Sequence, residues 1–227
     1  MTGSADDNPV PVIAIDGPSA SGKGTVAAHV AEALGFHFLD SGALYRLVAL
    51  SALQTRTSLD DEARLAAIAS EMDVDFQGEK ILLGGVPVNA LIRSEECGRA
   101  ASLVAALPAV RTALLARQRG FCRPLGLVAD GRDMGSVVFP QAALKIFLTA
   151  SPEARAERRH KQLMENGIDA NIAAILQDVG ERDARDSARN VSPLQVARDA
   201  LVVDSTGLSV AQVVAHVLAL WRERSQR

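Results

Sequence analysis

A glycine-rich segment near the start of the chain limits its possible folds more than any other feature. Residues 17–25 read GPSASGKGT, with the spacing G-x-x-x-x-G-K, between an apolar run at residues 10–15 and a stretch of helical periodicity at residues 23–34. In this context, successive backbone N–H groups point inward at a helix N-terminus and bind phosphate. The segment therefore predicts a buried strand, a phosphate-binding loop (P-loop) and a helix that ends near Gly35.

All positions of this loop are expected to bind the polyphosphate of a nucleotide, and they are Gly17, Pro18, Ser19, Ala20, Ser21, Gly22, Lys23, Gly24 and Thr25. Lys23 is expected to reach the β and γ phosphates as a catalytic residue, and the hydroxyl of Thr25 to hold Mg²⁺ directly or through water. Gly24 stands between Lys23 and Thr25, whereas the general pattern has Ser or Thr directly after the lysine. The role of Thr25 toward Mg²⁺ is therefore left open by the sequence.

The remainder of the chain alternates short apolar runs with segments of helical periodicity. Strands are predicted at residues 36–39, 125–129, 144–148 and 201–203, and helices at residues 41–53, 58–71, 93–106, 108–121 and from residue 209. Residues 72–88 alternate apolar and polar positions with glycine breaks, which favours small antiparallel strands. Because parallel strands need helical crossovers, the pattern predicts an α/β fold with a parallel sheet flanked by helices and an inserted small antiparallel sheet.

Three local patterns refine this outline. Ser58 to Asp61 matches a capping box and is predicted to open a helix that runs to about Glu71. Residues 153–198 are highly charged and poor in apolar periodicity, which is typical of an exposed or mobile region. Apolar residues recur at helical spacing in the last helix and predict its core face, at Val210, Val213, Val214, Val217, Leu218 and Trp221.

Composition disfavours several classes of protein. With 227 residues, 48% of them hydrophobic and 22% charged, the chain fits one globular unit. Its net charge of −3 provides no global basic field, so nucleic-acid and membrane partners are not expected. No apolar run approaches the ~20 residues that span a bilayer, and residues 1–9 lack a signal-peptide pattern. We expect a flexible tail at residues 1–9, a cytoplasmic location and, because no apolar stripe is left over, a monomer.

The cysteines, lysines and arginines narrow the chemistry. Cys97 and Cys122 lack CxxC or histidine neighbours, so we expect packed, reduced thiols and no metal site made of protein side chains. A P-loop is shared by switches, motors and kinases. None of the four lysines has the Asn/Thr-Lys-x-Asp setting of a guanine-binding switch, which disfavours a GTPase. Of the 24 basic residues 20 are arginine, which fits either bidentate phosphate clamps or a compositional bias.

Five motifs in a fixed order resemble nucleoside monophosphate kinases, and most of all the bacterial cytidylate kinase family. Over residues 10–207 they are GPSASGKGT, LDSGALYR, ADGRDMGSVVFPQA, ERDARDSARNVSPL and DALVVDST. The resemblance implies one P-loop kinase domain of three layers over residues 10–227. Residues 60–121 would form an inserted monophosphate-binding lobe, and residues from about 153 to 198 would contain a mobile, arginine-rich lid.

The same resemblance implies the reaction. The chain would transfer the γ-phosphoryl group of ATP, with Mg²⁺ as cofactor, to CMP or dCMP. A monophosphate is already largely dianionic at neutral pH because its second pKa is about 6, so it needs charge neutralisation and alignment rather than a strong base. Arginine suits this task through bidentate bonds. The family often has glycine where this chain has Ala20, and alanine is expected to fit only with a negative φ.

The resemblance also implies a set of residues that bind the CMP acceptor, namely Ser41, Arg46, Ser102, Arg111, Asp130, Arg132, Asp133, Arg182, Asp186 and Arg189. Arg46, Arg132 and Arg189 would clamp the acceptor phosphate, and Arg132 and Arg189 would also be catalytic. Arg182 and Asp186 would hold the ribose.

Further roles concern the base, the metal and the lid. Ser102, Arg111 and Asp133 would read the cytosine edge, with the serine and the aspartate accepting from its amino group. Asp130, at the end of the strand predicted at residues 125–129, would orient Mg²⁺ through water. Arg158 would be a catalytic arginine of the lid.

Other interpretations of these residues and of the function stay open at this point. Arg46 and Arg111 could be surface residues paired with nearby acids, and Asp133 could cap a turn. The arginines of the charged region could form a solvated face instead of a lid, and they are Arg155, Arg158, Arg159, Arg182, Arg185 and Arg189. The acceptor could be AMP, UMP or a small hydroxy acid such as shikimate. A non-catalytic ATP-binding module is a further alternative.

Overall fold

A computed structural model describes residues 10–77, 80–165, 167, 169–189 and 191–226 of the chain. The tail expected at residues 1–9 and the break expected at Gly78 lie outside these residues. The strands are β1 (Val12–Asp16), β2 (His37–Asp40), β3 (Val74–Gln77), β4 (Lys80–Leu83), β5 (Val86–Pro87), β6 (Leu127–Gly131), β7 (Leu144–Thr149) and β8 (Leu201–Asp204). The helices are α1 (Lys23–Leu34), α2 (Ser41–Gln54), α3 (Glu62–Glu71), α4 (Asn89–Ile92), α5 (Glu95–Val104), α6 (Pro108–Arg119), α7 (Pro152–Glu165), α8 (Ile172–Ser187) and α9 (Val210–Ser225).

The central sheet is parallel and has the order β2-β6-β1-β7-β8. In its middle, Ile13 of β1 pairs with Val128 of β6 on one side and with Leu144 of β7 on the other. The strands β1 and β6 are buried along their whole length, as expected for strands that are covered on both faces. The predicted parallel α/β fold is therefore confirmed.

Alternate residues of β1 enter two different cores, because successive side chains of a strand point to opposite faces. Val12 and Ala14 belong to a large apolar cluster with α2, α5 and α6. Ile13 and Ile15 belong to a second cluster with α1 and α9, in which Val217 is fully buried. The sheet thus has helices on both faces, and this arrangement makes three layers.

The inserted region consists of a small sheet and four helices. The strands β3, β4 and β5 are antiparallel, which confirms the prediction for residues 72–88. Helices α3, α5 and α6 contribute Leu65, Val104 and Leu114 to the same apolar cluster as Ala14 of the central sheet. Residues 60–121 therefore share a core with the central sheet.

Two predicted boundaries are wrong for local reasons. The helix expected from Ser58 begins at Glu62 instead, because the Asp61 side chain accepts the N–H of Arg64 at 3.0 Å and caps it. The strand expected at residues 125–129 is shifted to residues 127–131, because Leu125 has a φ of 88° and belongs to a turn. Asp130 therefore lies inside β6 and not after the strand.

The helix predicted at residues 93–106 begins later and is preceded by a separate short helix. The side chain of Ser94 accepts the N–H of Cys97 at 3.2 Å and caps α5, while α4 ends two residues earlier at Ile92. Cys97 and Cys122 are free thiols, as expected.

The charged region at residues 153–198 is more ordered than its composition indicates. Helices α7 and α8 pack against each other around a small cluster of Ala156, Leu163, Ile175 and Val179. Most positions of these helices are exposed or half-buried, as predicted for this region. A few apolar residues nevertheless form one line of contact between the two helices, which the sequence analysis did not predict.

The last helix, α9, carries the predicted core face with one exception. Ser209 caps it in a capping box with Gln212, and Val213 and Val217 are buried. Val210 is 41% exposed and lies outside the core, since it occupies the first turn. Within the described ranges, no single helix is long and apolar enough to cross a membrane. Helices α5 and α6 together have the necessary length and apolar composition, but they are bent by 101° at their junction.

Candidate active site

The candidate site lies where the carboxyl ends of neighbouring parallel strands meet. Strand β1 ends at Asp16, β2 ends at Asp40, and β6 ends at Gly131, directly after Asp130. Asp40 and Asp130 are register partners. Open α/β sheets bind their ligands at this edge. Because the P-loop follows β1, the predicted phosphate loop and Asp130 lie at the same edge of the sheet.

The P-loop packs tightly on the sheet and encloses Lys23. A Cβ at Gly17 would lie 2.1 Å from the carbonyl oxygen of Leu148, so only glycine fits there. The Lys23 side chain is buried, and its Nζ donates to the carbonyl oxygen of Pro18 at 3.1 Å. Burial and, next to it, the positive charge of Arg132 lower the pKa of Lys23 to about 8. A phosphate in this loop would relieve that unfavourable burial of positive charge.

Ala20 departs from its expectation. It has a φ of 58°, in the left-handed region, although alanine was expected to fit only with a negative φ. The residues on both sides of it are held from outside the loop. The carbonyl oxygen of Ser19 accepts from Arg155 at 3.0 Å, and that of Ser21 accepts from Arg158 at 3.0 Å. Contacts with α7 thus maintain a conformation that alanine disfavours.

Asp130 lies directly opposite Gly24. A Cβ at Gly24 would be 3.0 Å from Oδ2 of Asp130, so a larger residue there would require the carboxylate to shift by a few tenths of an ångström. Burial raises the pKa of Asp130 to about 7 against the opposing effect of Lys23, and Oδ1 of Asp130 is buried without a hydrogen-bond partner. Thr25 is exposed. The carboxylate therefore meets the loop at Gly24.

The side chain of Asp16 at the end of β1 binds the turn that follows β6. The two carboxylate oxygens of Asp16 accept the N–H groups of Met134 and Gly135, each at 2.8 Å. These residues begin a short π-helical turn, Met134–Val138. Burial raises the pKa of Asp16 to about 6, although both hydrogen bonds oppose the shift. Asp16 thereby positions the neighbouring Arg132 and Asp133.

A pocket between α2, α6 and the turn after β6 contains a buried ion pair between Arg111 of α6 and Asp133. Both side chains are less than a tenth exposed, so the interpretation of Arg111 as a surface residue is wrong. Asp133 makes no side-chain cap to the helical turn that follows it, so the capping interpretation is also wrong. Tyr45 and Gln118 line the same pocket, and the Arg111 guanidinium lies 5.5 Å from the centre of the Tyr45 ring. Donors and acceptors thus converge on one pocket.

The two predicted serines border this region. Ser41 is buried at the start of α2, and its Oγ lies 2.7 Å from the position that a Cβ at Gly131 would take. The Oγ of Ser102 on α5 accepts from Nε of Arg185 at 3.3 Å. Ser41 therefore touches the turn that carries Arg132, and Ser102 touches α8.

Arginines gather at one place between α2, α8 and the turn. Asp186 accepts from Nε of Arg132 at 2.8 Å and also pairs with Arg189. In contrast, no carboxylate of the described residues lies within ion-pair distance of Arg46 or Arg182. Nη1 of Arg46 donates only to the carbonyl oxygen of Ile92, at 2.7 Å. Arg46 is therefore not paired with a nearby acid.

The pKa shifts at this place reflect burial and the closeness of several positive charges. Burial and then the positive charges of Arg46 and Arg132 lower the pKa of Arg182 to about 10. The pKa of Arg46 is lowered as well, first by burial, and Arg132 adds to the effect. Such a group of mutually repelling guanidinium groups suits a dianionic ligand.

Helices α7 and α8 connect this arginine group to the P-loop. Arg158 donates to the carbonyl oxygens of Ser21 and Ser205, while Arg155 is buried against Ser19 and Asp183. Arg159 pairs with Glu95 at the start of α5. The interpretation of these arginines as a solvated face is therefore wrong. Arg158 contacts the P-loop, whereas Arg132 and Arg189 pair with Asp186.

Comparison with known proteins agrees with this geometry. The sequence profile described as Cytidylate kinase matches residues 13–223. The chain belongs to the cytidylate kinase family. It is 56% identical to the cytidylate kinase of Nitrosomonas europaea over 96% of this chain and 98% of the relative. It is 58% identical to that of Chromobacterium violaceum over 95% and 97%.

Membership of the cytidylate kinase family makes the chain a phosphotransferase. Among solved structures, a gluconokinase from Sinorhizobium meliloti 1021 is similar with a TM-score of 0.50 and 19% identity, covering 95% of this chain and 94% of that one. At this identity the similarity concerns the fold alone. It supports the assignment of the architecture to P-loop kinases.

A kinase of this family uses a nucleoside triphosphate, generally with Mg²⁺, and the residues near the P-loop suit that ion in one respect. The described part of the chain contains no group of three or more His, Cys, Asp or Glu side chains that could hold a metal by itself. The buried, unpartnered Oδ1 of Asp130 next to the P-loop is a carboxylate oxygen, which is the type of ligand that Mg²⁺ prefers. These residues therefore fit an ion that shares its ligands with a bound phosphate.

Sequence reasoning missed several residues of this site. Asp40, in the LDSGALYR motif, is close enough to influence Lys23 and Asp130, and its place at a strand end could have indicated it. Gln118 lies seven residues after Arg111 on α6, so the two share a helical face. Tyr45 is the neighbour of Arg46 in sequence. For Asp183, the sequence contained no signal beyond its position among the arginines.

Proposed function

We propose that the protein transfers the γ-phosphoryl group of Mg-ATP to CMP or dCMP, with ADP and CDP or dCDP as products. One observation carries this proposal. Arg132 is near enough to the P-loop lysine, Lys23, to lower its pKa, and it is bonded to Asp186 in the arginine group on the other side. A donor phosphate in the loop and an acceptor phosphate among the arginines would therefore face each other, as in-line transfer requires.

The acceptor phosphate is the ligand that would satisfy the arginine group. Arg46, Arg132 and Arg189 would clamp it, with Ser41 beside the turn. A monophosphate is mostly dianionic at neutral pH, since its second pKa is about 6, so these residues need to neutralise and align it without removing a proton. Arg182, next to Asp186, would hold the ribose.

The cytosine base would occupy the pocket lined by Arg111 and Asp133. The Asp133 carboxylate accepts hydrogen bonds and suits the exocyclic amino group of cytosine, and Arg111 donates and suits its ring acceptors. Ser102 would complete the contacts to this end of the nucleotide. A base with a carbonyl group in place of the amino group would leave Asp133 without a donor, which favours CMP over UMP.

On the donor side, residues 17–25 would bind the ATP phosphates, with Lys23 on the β and γ groups. A pocket beside the loop, lined by Arg158, Leu208 and Val210, suits the base of the donor. Asp130 would hold Mg²⁺ through water, and Thr25 could reach it only from the exposed side of the loop. When bound, Mg²⁺ supplies charge neutralisation between the β and γ phosphates.

The proposal also includes a monophosphate-binding lobe and a lid. We infer that residues 60–121 form the monophosphate-binding lobe and that α7 and α8 belong to a lid over residues 153–198. Closure would exclude water and protect ATP from hydrolysis. We further infer a monomer that acts in the cytoplasm on nucleotides, without nucleic-acid or membrane partners. Light scattering of the purified protein tests the monomer.

The reaction is tested by acceptor-dependent release of ADP from Mg-ATP. CMP, dCMP, UMP, AMP, GMP and shikimate are compared side by side with buffer alone. Lys23→Ala should lose about a hundredfold or more in kcat, because it removes a positive charge aimed at the transferred group. Lys80→Ala is the control, since Lys80 is an exposed lysine on β4.

The outcomes separate the alternatives clearly. We expect CMP and dCMP to give the highest rates, with the Lys80 variant fully active. No turnover above buffer with CMP would contradict the acceptor assignment. ATP binding without turnover on any acceptor would indicate the non-catalytic module instead.

A further inference from the structure

An ion pair of the lid helices holds both backbone polar groups of one P-loop residue. Asp183 of α8 accepts the N–H of Ser19 through Oδ1 at 3.1 Å and pairs with Nη1 of Arg155 at 2.5 Å through Oδ2. The same Nη1 donates to the carbonyl oxygen of Ser19 at 3.0 Å. Arg155 is 5% exposed and is further fixed by the carbonyl oxygen of Ala150. The family roles described above include neither Arg155 nor Asp183.

The residue next to this contact adopts a disfavoured backbone conformation. Ala20 has a φ of 58°, and a non-glycine residue stays in that region only when its surroundings hold it there. Its neighbours Ser19 and Ser21 are both bound to arginines of α7, one turn apart. The arginine contacts therefore accompany the strained residue on both sides.

Charge is needed for this arrangement. A buried guanidinium is costly unless it is paired, and Asp183 provides the carboxylate within ion-pair distance of Arg155. Removing that charge while keeping the side-chain shape would leave Arg155 unpaired next to the loop. The loop would then lose the support that maintains Ala20 at a positive φ.

We propose that Arg155 and Asp183 are positioning residues that hold the P-loop in its phosphate-binding shape from the lid helices. This inference rests on the proposed function, because it assumes that the loop binds the donor nucleotide. The two residues act through Ser19 and Ala20 and need not touch the nucleotide. Loss of either residue should therefore weaken the binding of the donor nucleotide much more than the binding of CMP.

The first test measures binding of Mg-ADP and of CMP by calorimetry for Asp183→Asn. Asparagine keeps an oxygen for the N–H of Ser19 but loses the charge that pairs with Arg155. We expect the Kd for Mg-ADP to rise about tenfold, as for the loss of a charged hydrogen bond, and the Kd for CMP to change less than about twofold. Glu165→Gln is the control, because Glu165 is an exposed acid of α7 that pairs with Lys161.

The second test asks whether the loop itself is the target. Glycine adopts a positive φ without strain, so Ala20→Gly should reduce the need for outside support. We expect Ala20→Gly in the Asp183→Asn background to bring the Kd for Mg-ADP to within about threefold of wild type. A residue that is merely structural would not be rescued by a change in the loop.

Each outcome decides a separate question. Unchanged binding of Mg-ADP in Asp183→Asn, or no rescue by Ala20→Gly, overturns the positioning role. The proposed function still holds in that case, provided that the wild-type protein is active with CMP. A wild-type protein that binds no Mg-ADP contradicts the proposed function itself. If Asp183→Asn melts below the assay temperature, Arg155→Lys replaces it in the test. Lysine keeps the positive charge but cannot make the hydrogen bonds of both Nε and Nη1. We expect the same weakened binding of Mg-ADP and the same rescue by Ala20→Gly.

Discussion

Arg111 and Asp133 form a buried ion pair, in which each charge compensates the other. Truncation of either partner would leave an isolated buried charge and would confuse loss of folding with loss of specificity. An isosteric change is therefore the informative one.

We expect Asp133→Asn to lower the ratio of kcat/KM for CMP to that for UMP by about tenfold. The asparagine amide can donate to the uracil carbonyl, which the carboxylate cannot. The measurement is the rate of ADP release with each acceptor at several concentrations. Asp75→Asn, on the exposed face of β3, is the matched control. An unchanged ratio would show that Asp133 does not read the base.

At the same scale, two residues show how far sequence patterns reach. The motif indicated that Gly24 departs from the usual P-loop, and the structure places the Asp130 carboxylate next to it. Ala20 was expected to have a negative φ, and this was wrong because the contacts that hold its neighbours come from α7, more than a hundred residues away in sequence.

At the scale of elements, helices α7 and α8 form a unit with a minimal core. Leu163 is 6% exposed and packs with Ile175 and Val179, apart from both clusters of the central sheet. The helices also carry the contacts to the P-loop and to α5. A small core of this kind can open locally while the sheet stays folded.

Leu163→Ala should therefore loosen this unit selectively. Leucine to alanine changes in a core cost about 2–5 kcal/mol, which is large compared with a cluster of this size. We expect faster proteolysis within residues 152–187 and a lower kcat, with little change in the main melting transition. Val217→Ala in α9 is the comparison, and it should lower the main melting temperature instead. Equal effects of both variants on the main melting transition would show that the unit of α7 and α8 does not open independently.

At the scale of the whole molecule, the site concentrates buried carboxyl groups whose pKa values are raised by burial. Asp16 is 5% exposed, and burial raises its pKa from 3.8 to about 6. The folded state then binds this proton more tightly than the unfolded state. The stability contributed by the proton is complete below about pH 4 and is lost as the pH rises through about 6.

Because the Asp16→Asn side chain cannot titrate, comparing this variant with wild type isolates the pH-dependent stability contributed by Asp16. The melting temperature of wild type minus that of the variant should fall by about 5 °C between pH 4 and pH 7 and then stay level. Thermal unfolding over that range is the measurement. Asp60→Asn, at an exposed aspartate, should give an offset that does not vary in this way. A difference that grows with pH would contradict the raised pKa.

Local regularities in the sequence determined the parallel sheet, the P-loop and most helices. The strand–loop–helix pattern at residues 10–34 and the apolar periodicity of α9 are statements about neighbours along the chain, and burial of an apolar face fixes their outcome. Boundaries failed where a single capping residue, such as Asp61, competed with another signal.

Only the tertiary structure decided which charges meet. Asp183 reaches Ser19 across 164 positions, and Asp16 reaches the turn at Met134 across 118. No periodicity encodes such pairs, because a buried charge is stabilised by whichever partner the packing of distant elements brings to it. The amino-acid order thus determined the elements and the phosphate loop, while packing determined the electrostatic connections that give the loop its shape.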